Sequence, residues 1–308
     1  MKSATLSTYQ FMKTYLNYHF PKSIDDAIAA ISKAKGETAV LAGGTDLLLD
    51  IQQGRHPAVD TLVDISSVSE MRELECYQNY IQVGAAVTHK EIISSKLMQD
   101  NARCLVEGCG LIGGPQVRNV ATIGGNVSHA LPAGDGTISL LALNTDVEIT
   151  SAEGLRWEPL IEIFAGPGKV TFDRKRELVT RFRFLQRNER EGSSFYRVMR
   201  PQGVAIAILN MAGWVKLDEG NRLVDVRIAC GPAGPKPFRG YETEAFLKNK
   251  TLDMSTLSNA ANILYEEVNF RTSRHRATKE YRQRLLPVLL KQVLQTAITR
   301  AIEYRSKY

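Results

Sequence analysis

The sequence predicts a mixed α and β protein of about two or three domains, without the regular strand–helix alternation of a doubly wound sheet. Three observations carry this. The chain has 308 residues, more than the ~100–200 typical of one domain. Strand-like and helix-like stretches both occur, yet no long helical pattern separates the early strands in steady alternation. Past a polar stretch at 186–194 the texture changes from glycine-rich loops to long strands followed by helices. Apolar residues at 44% against charged residues at 23% are enough for real cores and unlike a disordered tail.

The first elements read as a small βαβ unit. Ser23-Ile24-Asp25-Asp26 has the form of a helix N-cap with an acid three residues on, and Ile24, Ala27, Ile28 and Ile31 then recur at helical spacing. Gly36 is placed to stop that helix. Thr38–Leu41 reads as a buried strand running into Gly43-Gly44-Thr45-Asp46, and Leu62–Ile65 as a second short strand. Next come a strand at Tyr80–Ala85, helical character from Lys90 to Gly108, and a glycine-rich loop system from Gly110 to Gly136. Strands follow at Asp146–Ile149 and Leu178–Phe184, with turns at Glu153-Gly154 and Gly166-Pro167-Gly168. Residues 186–194 read as a linker. Val204–Leu217 and Leu223–Cys230 are strands joined by a hairpin turn at Asp218–Asn221, followed by helices near Met254–Asn269 and Thr278–Tyr304. Pro287 is expected to kink the last helix or to mark its true start.

Composition excludes several classes. No apolar run reaches the ~18–20 residues of a membrane span, and the N-terminus MKSATLSTYQF lacks the apolar stretch of a secretory signal. Cys76, Cys104, Cys109 and Cys230 are too few and too scattered for a disulfide scaffold, so the expected location is the cytoplasm. Net charge is +6, with basic residues concentrated at Arg174–Arg200 and Arg271–Arg284. These clusters read either as solvated faces or as a docking or anion-binding face. They lack the interleaved aromatics of an RNA-binding surface, and no zinc-finger spacing exists, so nucleic acid is not an expected partner.

Gly108-Cys109-Gly110-Leu111-Ile112-Gly113 matches a G-x-G-x-x-G dinucleotide fingerprint, but its context is wrong. A helical stretch precedes it and Pro115 follows, where the fingerprint needs a strand before and a helix after. The stronger signal is a pair of separate clusters, Leu41–Leu48 (LAGGTDLL) and Ala121–Val127 (ATIGGNV). Each sets Gly-Gly beside a threonine. Glycine lets backbone N–H groups approach a phosphate, and successive N–H groups form an anion-binding nest. Two such nests, with Thr45 and Thr122 adding hydroxyl donors, could clamp one pyrophosphate. Each cluster singly also fits an ordinary turn.

With these residues the chain resembles the FAD-binding medium subunits of the molybdenum hydroxylases. The resemblance rests on LAGGTDLL (41–48), LVDI (62–65), GPQVRNVATIGGN (114–126), PAGD (132–135), FAGPGK (164–169) and RTSRHRATKEYRQRL (271–285). The last two look most like the xanthine dehydrogenase type. The resemblance implies an α+β fold: a two-subdomain FAD-binding domain of the vanillyl-alcohol-oxidase or PCMH type, then a C-terminal domain of a three-stranded sheet with helices. It divides the chain into 1–62, 63–186 and 190–308. It also implies FAD as cofactor, a molybdopterin-binding large subunit and a [2Fe–2S] small subunit as partners, and NAD+ or another electron acceptor.

By position, the resemblance places Val40, Leu41, Ala42, Gly43, Gly44, Thr45, Asp46 and Leu47 along the pyrophosphate, and Thr122, Gly125 and Asn126 at a second phosphate-binding turn. Ile112 would pack near the adenine end, Val179 against the flavin region, and Asp135 would accept from a polyol chain of the cofactor. His129 would contact it through its backbone. Three positions have rival structural readings: Asp135 as a helix cap, His129 as a loop histidine, and Thr88 as a turn residue instead of a cofactor contact. Arg118-Asn119 reads either as a phosphate ligand or as a holder of its loop. Tyr196 stands where some relatives carry a lysine near the flavin, with Arg197 or Arg200 as substitutes. No four-cysteine cluster spacing and no metal constellation occurs. The resemblance leaves the reaction to the cofactor, so no acid–base residue is expected. The alternatives are a stand-alone FAD oxidoreductase of related fold, such as a cell-wall-precursor reductase, and a flavin-less assembly module.

Overall fold

The structure, a computed structural model, describes residues 15–200, 206–274 and 276–304. Its first part is a three-stranded parallel sheet in the order β1-β3-β2, built from β1 (Asn17–His19), β2 (Thr38–Leu41) and β3 (Thr61–Asp64). Helix α1 (Ile24–Lys33) connects the first two strands. The Ser23 hydroxyl accepts from Asp26 N–H, as the cap pattern predicts, and Ala27, Ile28 and Ile31 are buried. Gly36 has φ +86°, and the Asp60 carboxylate fills the space a side chain would need while accepting from Glu37 N–H at 2.8 Å. The 62–65 strand begins one residue early, at Thr61. Helix α2 (Leu47–Gln52), which the sequence reading does not anticipate, follows the glycine loop at the end of β2.

The second sheet has five antiparallel strands in the order β4-β5-β10-β6-β7. These are β4 (Leu74–Tyr77), β5 (Tyr80–Gly84), β6 (Asp146–Ser151), β7 (Gly154–Pro159) and β10 (Leu178–Leu185), with β8 (Phe164–Gly166) and β9 (Lys169–Val170) as a small side hairpin. The expected helical run from Lys90 is three short helices, α3 (His89–Ser94), α4 (Lys96–Asn101) and α5 (Arg103–Gly110). The expected loop system of 110–136 is corrected more strongly. It contains α6 (Pro115–Val120) and α7 (Ile123–Ser128) and opens α8 (Asp135–Ala142). Gly108 and Gly110 lie inside α5, so the G-x-G-x-x-G match is a helix end. A Cβ on Gly108 would meet Ser139 Oγ at 2.6 Å, which shows the glycine serving close packing of α5 on α8.

The third sheet is antiparallel, β11 (Glu191–Val198), β12 (Leu209–Leu217), β13 (Leu223–Gly231) and β14 (Phe238–Arg239). The expected three strands are joined by this two-residue edge strand. Helices α9 (Tyr241–Leu247), α10 (Met254–Glu267) and α11 (Lys279–Glu303) cover one face, while α5 and α8 cover the other. The expected linker of 186–194 is half wrong: Glu191 through Ser194 are buried strand residues. The strand expected from Val204 begins at Leu209, and residues 204–205 lie outside the described residues. Pro287 neither starts nor ends α11. By length and composition α11 could cross a membrane, but here Leu286, Leu289, Leu290, Val293, Leu294 and Ala297 are buried in the core it forms with the sheet.

Candidate functional site

Strand β2 is an edge strand, and its parallel partner leaves the C-terminal end open. The chain leaves that end through Ala42, Gly43, Gly44, Thr45 and Asp46 into α2. Gly44 has φ +67°, the left-handed conformation that a side chain would strain. The Ile65 N–H closes the strand on the Leu41 carbonyl at 2.8 Å. Beyond it the backbone N–H groups of Gly43, Gly44, Thr45, Asp46 and Leu47 donate to no acceptor among the described residues. Consecutive unpaired N–H groups around a left-handed residue form a concave anion site. The Thr45 hydroxyl makes only a long 3.5 Å contact, to Asp46. Val40 and Ala42 pack on the main core, while Leu41 and Leu47 pack on the small core of the first sheet.

The two glycine clusters meet. A Cβ on Gly43 would overlap the Val120 carbonyl and stand 2.7 Å from Ala121 Cα. This contact is invisible in the sequence, because neither Val120 nor Ala121 has a distinctive side chain. The second cluster is built differently from the expected nest. Thr122 is the N-cap of α7, and its hydroxyl accepts from Gly125 N–H at 3.0 Å. Ile123 N–H goes to the Val87 carbonyl, Gly124 N–H to Ala85 and Asn126 N–H to Thr122. Asn126 Oδ1 takes Thr137 N–H and the Thr137 hydroxyl, each at 3.0 Å. The Ile123, Gly124, Gly125 and Asn126 amides are therefore committed to protein acceptors, which leaves the Thr122 N–H, the Thr122 hydroxyl proton and the Asn126 side-chain amide N–H₂ as open donors of this cluster among the described residues. His129 is the C-cap of α7. Its N–H goes to the Gly125 carbonyl at 3.0 Å, so a backbone contact to a cofactor would have to use its carbonyl.

Several flanking residues have structural partners of their own. Thr88 caps α3 in a reciprocal box with Glu91, with its N–H at 2.7 Å and its hydroxyl at 2.8 Å from Glu91 Oε2. Next to it, His89 is 1% exposed, with Nδ1 buried and unpaired among the described residues. Burial, then the nearby Arg118 charge, lowers its pKa to about 4. Arg118 holds its own loop, donating to the Ile112 carbonyl at 3.0 Å and to Gly113 at 2.7 Å. Ile112 is half-buried beside it. Val179 is 3% exposed in the core of the five-stranded sheet, at a bulge in β10.

Asp135 is 5% exposed and does not cap α8, whose N-cap is Gly134. Its carboxylate pairs with the Arg197 guanidinium and accepts from Asn210 Nδ2 at 2.6 Å. Arg197 and Asn210 are cross-strand partners on β11 and β12, so the contact fastens α8 to the third sheet. Burial raises the Asp135 pKa, while Arg197 and Asn210 oppose that shift. The expected polyol contact thus competes with a carboxylate already engaged by two donors. Tyr196 is corrected as well. Strand alternation turns it to the opposite face, where its hydroxyl meets Thr296 Oγ1 on α11 at 3.0 Å. The cation on the Asp135 side is Arg197.

The geometry suits a molecule with an anionic middle. The open amide arc lies between Leu48 and Leu49, each 43% exposed, and Val120, 49% exposed. Apolar surface on both sides of an anion site fits the flat ends of a dinucleotide such as FAD. Two family profiles match the chain: "FAD binding domain in molybdopterin dehydrogenase" over residues 10–184, and "CO dehydrogenase flavoprotein C-terminal domain" over residues 194–297. The xanthine dehydrogenase FAD-binding subunit of Escherichia coli O157:H7 is 30% identical over 292 residues, covering 94% of this chain and 98% of that subunit. The nicotinate dehydrogenase FAD-subunit of Eubacterium barkeri is 28% identical, covering 80% and 84%. Among solved structures, a chain of the Cu,Mo-CO dehydrogenase in its cyanide-inactivated form superposes with a TM-score of 0.87 at 26% identity, covering 93% and 98%. The amide arc, the paired glycine clusters and these likenesses agree: the chain belongs to the FAD-binding medium subunits of xanthine dehydrogenase- and CO dehydrogenase-type molybdenum hydroxylases.

Proposed function

We propose that this chain is the flavin-carrying electron-transfer subunit of a heteromeric molybdenum hydroxylase in the cytoplasm. A molybdopterin-binding large subunit oxidises the substrate, and the [2Fe–2S] clusters of a small subunit deliver the electrons. NAD+ or another acceptor receives them from this subunit. The observation that carries the reading is the arc of unpaired N–H groups from Gly43 to Leu47, set against Val120 and Ala121. FAD, when bound, supplies the redox chemistry; the protein binds and orients it. The arc would hold the pyrophosphate, with the Thr45 hydroxyl and the Asn126 side-chain amide as further donors.

The reading takes 1–62 and 63–186 as the two subdomains of a vanillyl-alcohol-oxidase or PCMH-type FAD domain, and 190–308 as the C-terminal domain. The sheets support the limit at 186–190, whereas β3 carries the first subdomain two residues beyond 62. The first ends at Asp64, the second spans Leu74–Leu185 and the third begins at Glu191. The test is reconstitution. The FAD-loaded chain is mixed anaerobically with the reduced iron–sulfur subunit, and flavin bleaching is followed by absorbance. Bleaching by that subunit and not by small organic substrates is expected. Direct reduction by a small substrate with no partner present would overturn the electron-transfer role and favour a stand-alone oxidoreductase.

A further inference from the structure

A cavity of about 340 Å³ opens where the end of α8 meets the third sheet. Asn144, just past α8, forms one side. Asp225 and Arg227 on β13 and Arg239 on β14 form the floor, and Tyr241, Glu244 and Lys248 of α9 and its cap form the far side. The volume lies within the ~300–1,000 Å³ of small-molecule pockets. None of these residues is among those expected to hold FAD.

The side-chain acceptors of the lining are engaged. Glu244 takes the Ile228 N–H at 2.8 Å and two donors of Arg239, at 2.8 and 3.1 Å. Asn144 Oδ1 takes the third Arg239 nitrogen at 2.5 Å. Asp225 is met by Lys248 at 3.0 Å and by Arg227 at 3.4 Å. The groups left over are donors. Arg227 Nε–H, the Asn144 side-chain N–H₂ and the Tyr241 hydroxyl proton reach no acceptor among the described residues. The two arginines therefore differ. Arg239 has a bidentate carboxylate of its own. The Arg227 side chain is only 14% exposed and lies over the ring of its cross-strand partner Trp214 at 3.9 Å. Yet its two polar contacts, to the Leu143 carbonyl at 3.3 Å and to Asp225 at 3.4 Å, are both long. A charge-assisted bond is normally ~2.7–2.9 Å. A guanidinium so far removed from water and so loosely met is stabilised by any acceptor that completes it.

We infer that this cavity binds a small aromatic monocarboxylate, with its carboxylate on the Arg227 fork and its ring beside Tyr241. The lining sets three cations, Arg227, Arg239 and Lys248, against two carboxylates, Asp225 and Glu244. The surplus of one positive charge matches a monoanion, whereas a phosphate dianion would stand against both acids. A planar carboxylate also matches the guanidinium fork, with the Asn144 amide and Lys248 as further donors. Tyr241 leaves 52% of its surface exposed and offers its ring to an aromatic body.

The test uses the full chain saturated with FAD, so that the glycine loop is occupied. Benzoate, acetate and inorganic phosphate are titrated separately by calorimetry, at an ionic strength held constant with sodium chloride. Benzoate is expected to bind saturably and more tightly than the other two. Arg227→Gln should weaken it at least ~10-fold, as loss of a hydrogen bond between charged groups implies. Arg227→Lys keeps the charge without the fork and should fall between Arg227→Gln and the parent. Because Arg227 also packs on Trp214, the exposed Tyr241→Ala is the second variant. It should weaken benzoate roughly 3–10-fold, leave acetate unchanged and keep the parental melting temperature. The inference is overturned if benzoate does not bind saturably, if acetate or phosphate binds as tightly as benzoate, or if Tyr241→Ala or folded Arg227→Gln binds benzoate as tightly as the parent.

Discussion

The two glycine clusters look alike in sequence and differ in physics. In the first, the glycines end an edge strand, Gly44 is left-handed and five consecutive N–H groups have no acceptor among the described residues. In the second, the glycines lie in a capped helix turn whose N–H groups go to Val87, Ala85 and Thr122. The first presents open donors, as the proposed cofactor site requires. The second is the wall it leans on, because Val120 and Ala121 come within contact of Gly43. A Gly-Gly pair with a threonine close by thus marks close backbone approach in both places, and only the hydrogen-bond inventory separates approach to a ligand from approach to the protein itself.

The largest expected effect separates the three informative glycines. Gly43→Val places a side chain into the Val120 carbonyl and displaces the amide arc. Losing two charge-assisted hydrogen bonds is worth ~3–6 kcal/mol, so FAD affinity should fall by a hundredfold or more. Gly125→Ala meets only its own cap, with Thr122 Oγ1 at 3.2 Å, and FAD affinity should change less than about threefold. Gly124→Ala would sit 2.5 Å from the Ala85 carbonyl and should lower stability by ~1–3 kcal/mol through overpacking, with flavin still bound. Flavin content and melting temperature of the three variants measure this. Equal flavin loss at Gly43 and Gly125 would break the distinction.

The second effect is in the wall and depends on pH. His89 lies under the second cluster, its N–H bound to the Ala121 carbonyl at 3.0 Å. Its folded pKa is about 4 against 6.5 unfolded, because burial opposes the charged form. Above pH 6.5 both states are neutral and the protein keeps its full stability. Below it the unfolded chain takes up the proton first, so stability is lost progressively down to about pH 4. The gap between 6.5 and about 4 corresponds to at most ~3 kcal/mol. His89→Asn should flatten the fall in melting temperature between pH 7 and 5, which also separates His89 from the buried carboxylates Asp135 and Glu244. An unchanged slope in that variant would remove His89 as its source.

What was legible in the sequence follows the same division. Local patterns read well. Ser23 with Asp26, the strand at Thr38–Leu41 and the hairpin turn at Asp218–Asn221 are set by neighbours in the chain. Features set by distant partners did not read. Residues 186–194 look like a solvated linker, yet Ser194 Oγ donates to the Val293 carbonyl at 2.7 Å, and Ser193 Oγ accepts from Cys104 N–H at 3.2 Å. A Cβ on Gly192 would overlap the Ala297 carbonyl. Small polar residues there admit helices on both faces of β11. Pro287 reads as a break, but it is exposed, so the carbonyl it leaves unpaired can face water. Tyr196 and Arg197 could not be assigned to faces before the register of β11 was known. The loop after β2 is legible because its backbone demand is written in glycine; Asn210, the partner of Asp135, carries no such signal.

The smallest expected effect is the sharpest separation, because it compares one hydroxyl with another. Thr122 caps α7, so Thr122→Val should cost ~1 kcal/mol of stability and lower the melting temperature by roughly 2–4 °C, with FAD affinity nearly unchanged. Thr45 holds no cap, and its hydroxyl makes one long, exposed contact. Thr45→Val should therefore leave the melting temperature of the apo chain alone and weaken FAD binding about fivefold, the worth of a single hydrogen bond near 1 kcal/mol. Calorimetric titration of FAD into both apo variants, beside their thermal melts, reads the two quantities independently. If Thr122→Val lost flavin and kept its stability, the second cluster would be a true phosphate nest and the wall interpretation would fail. A rearrangement of α7 on cofactor binding would then have to free the Gly124 and Gly125 amides from Ala85 and Thr122.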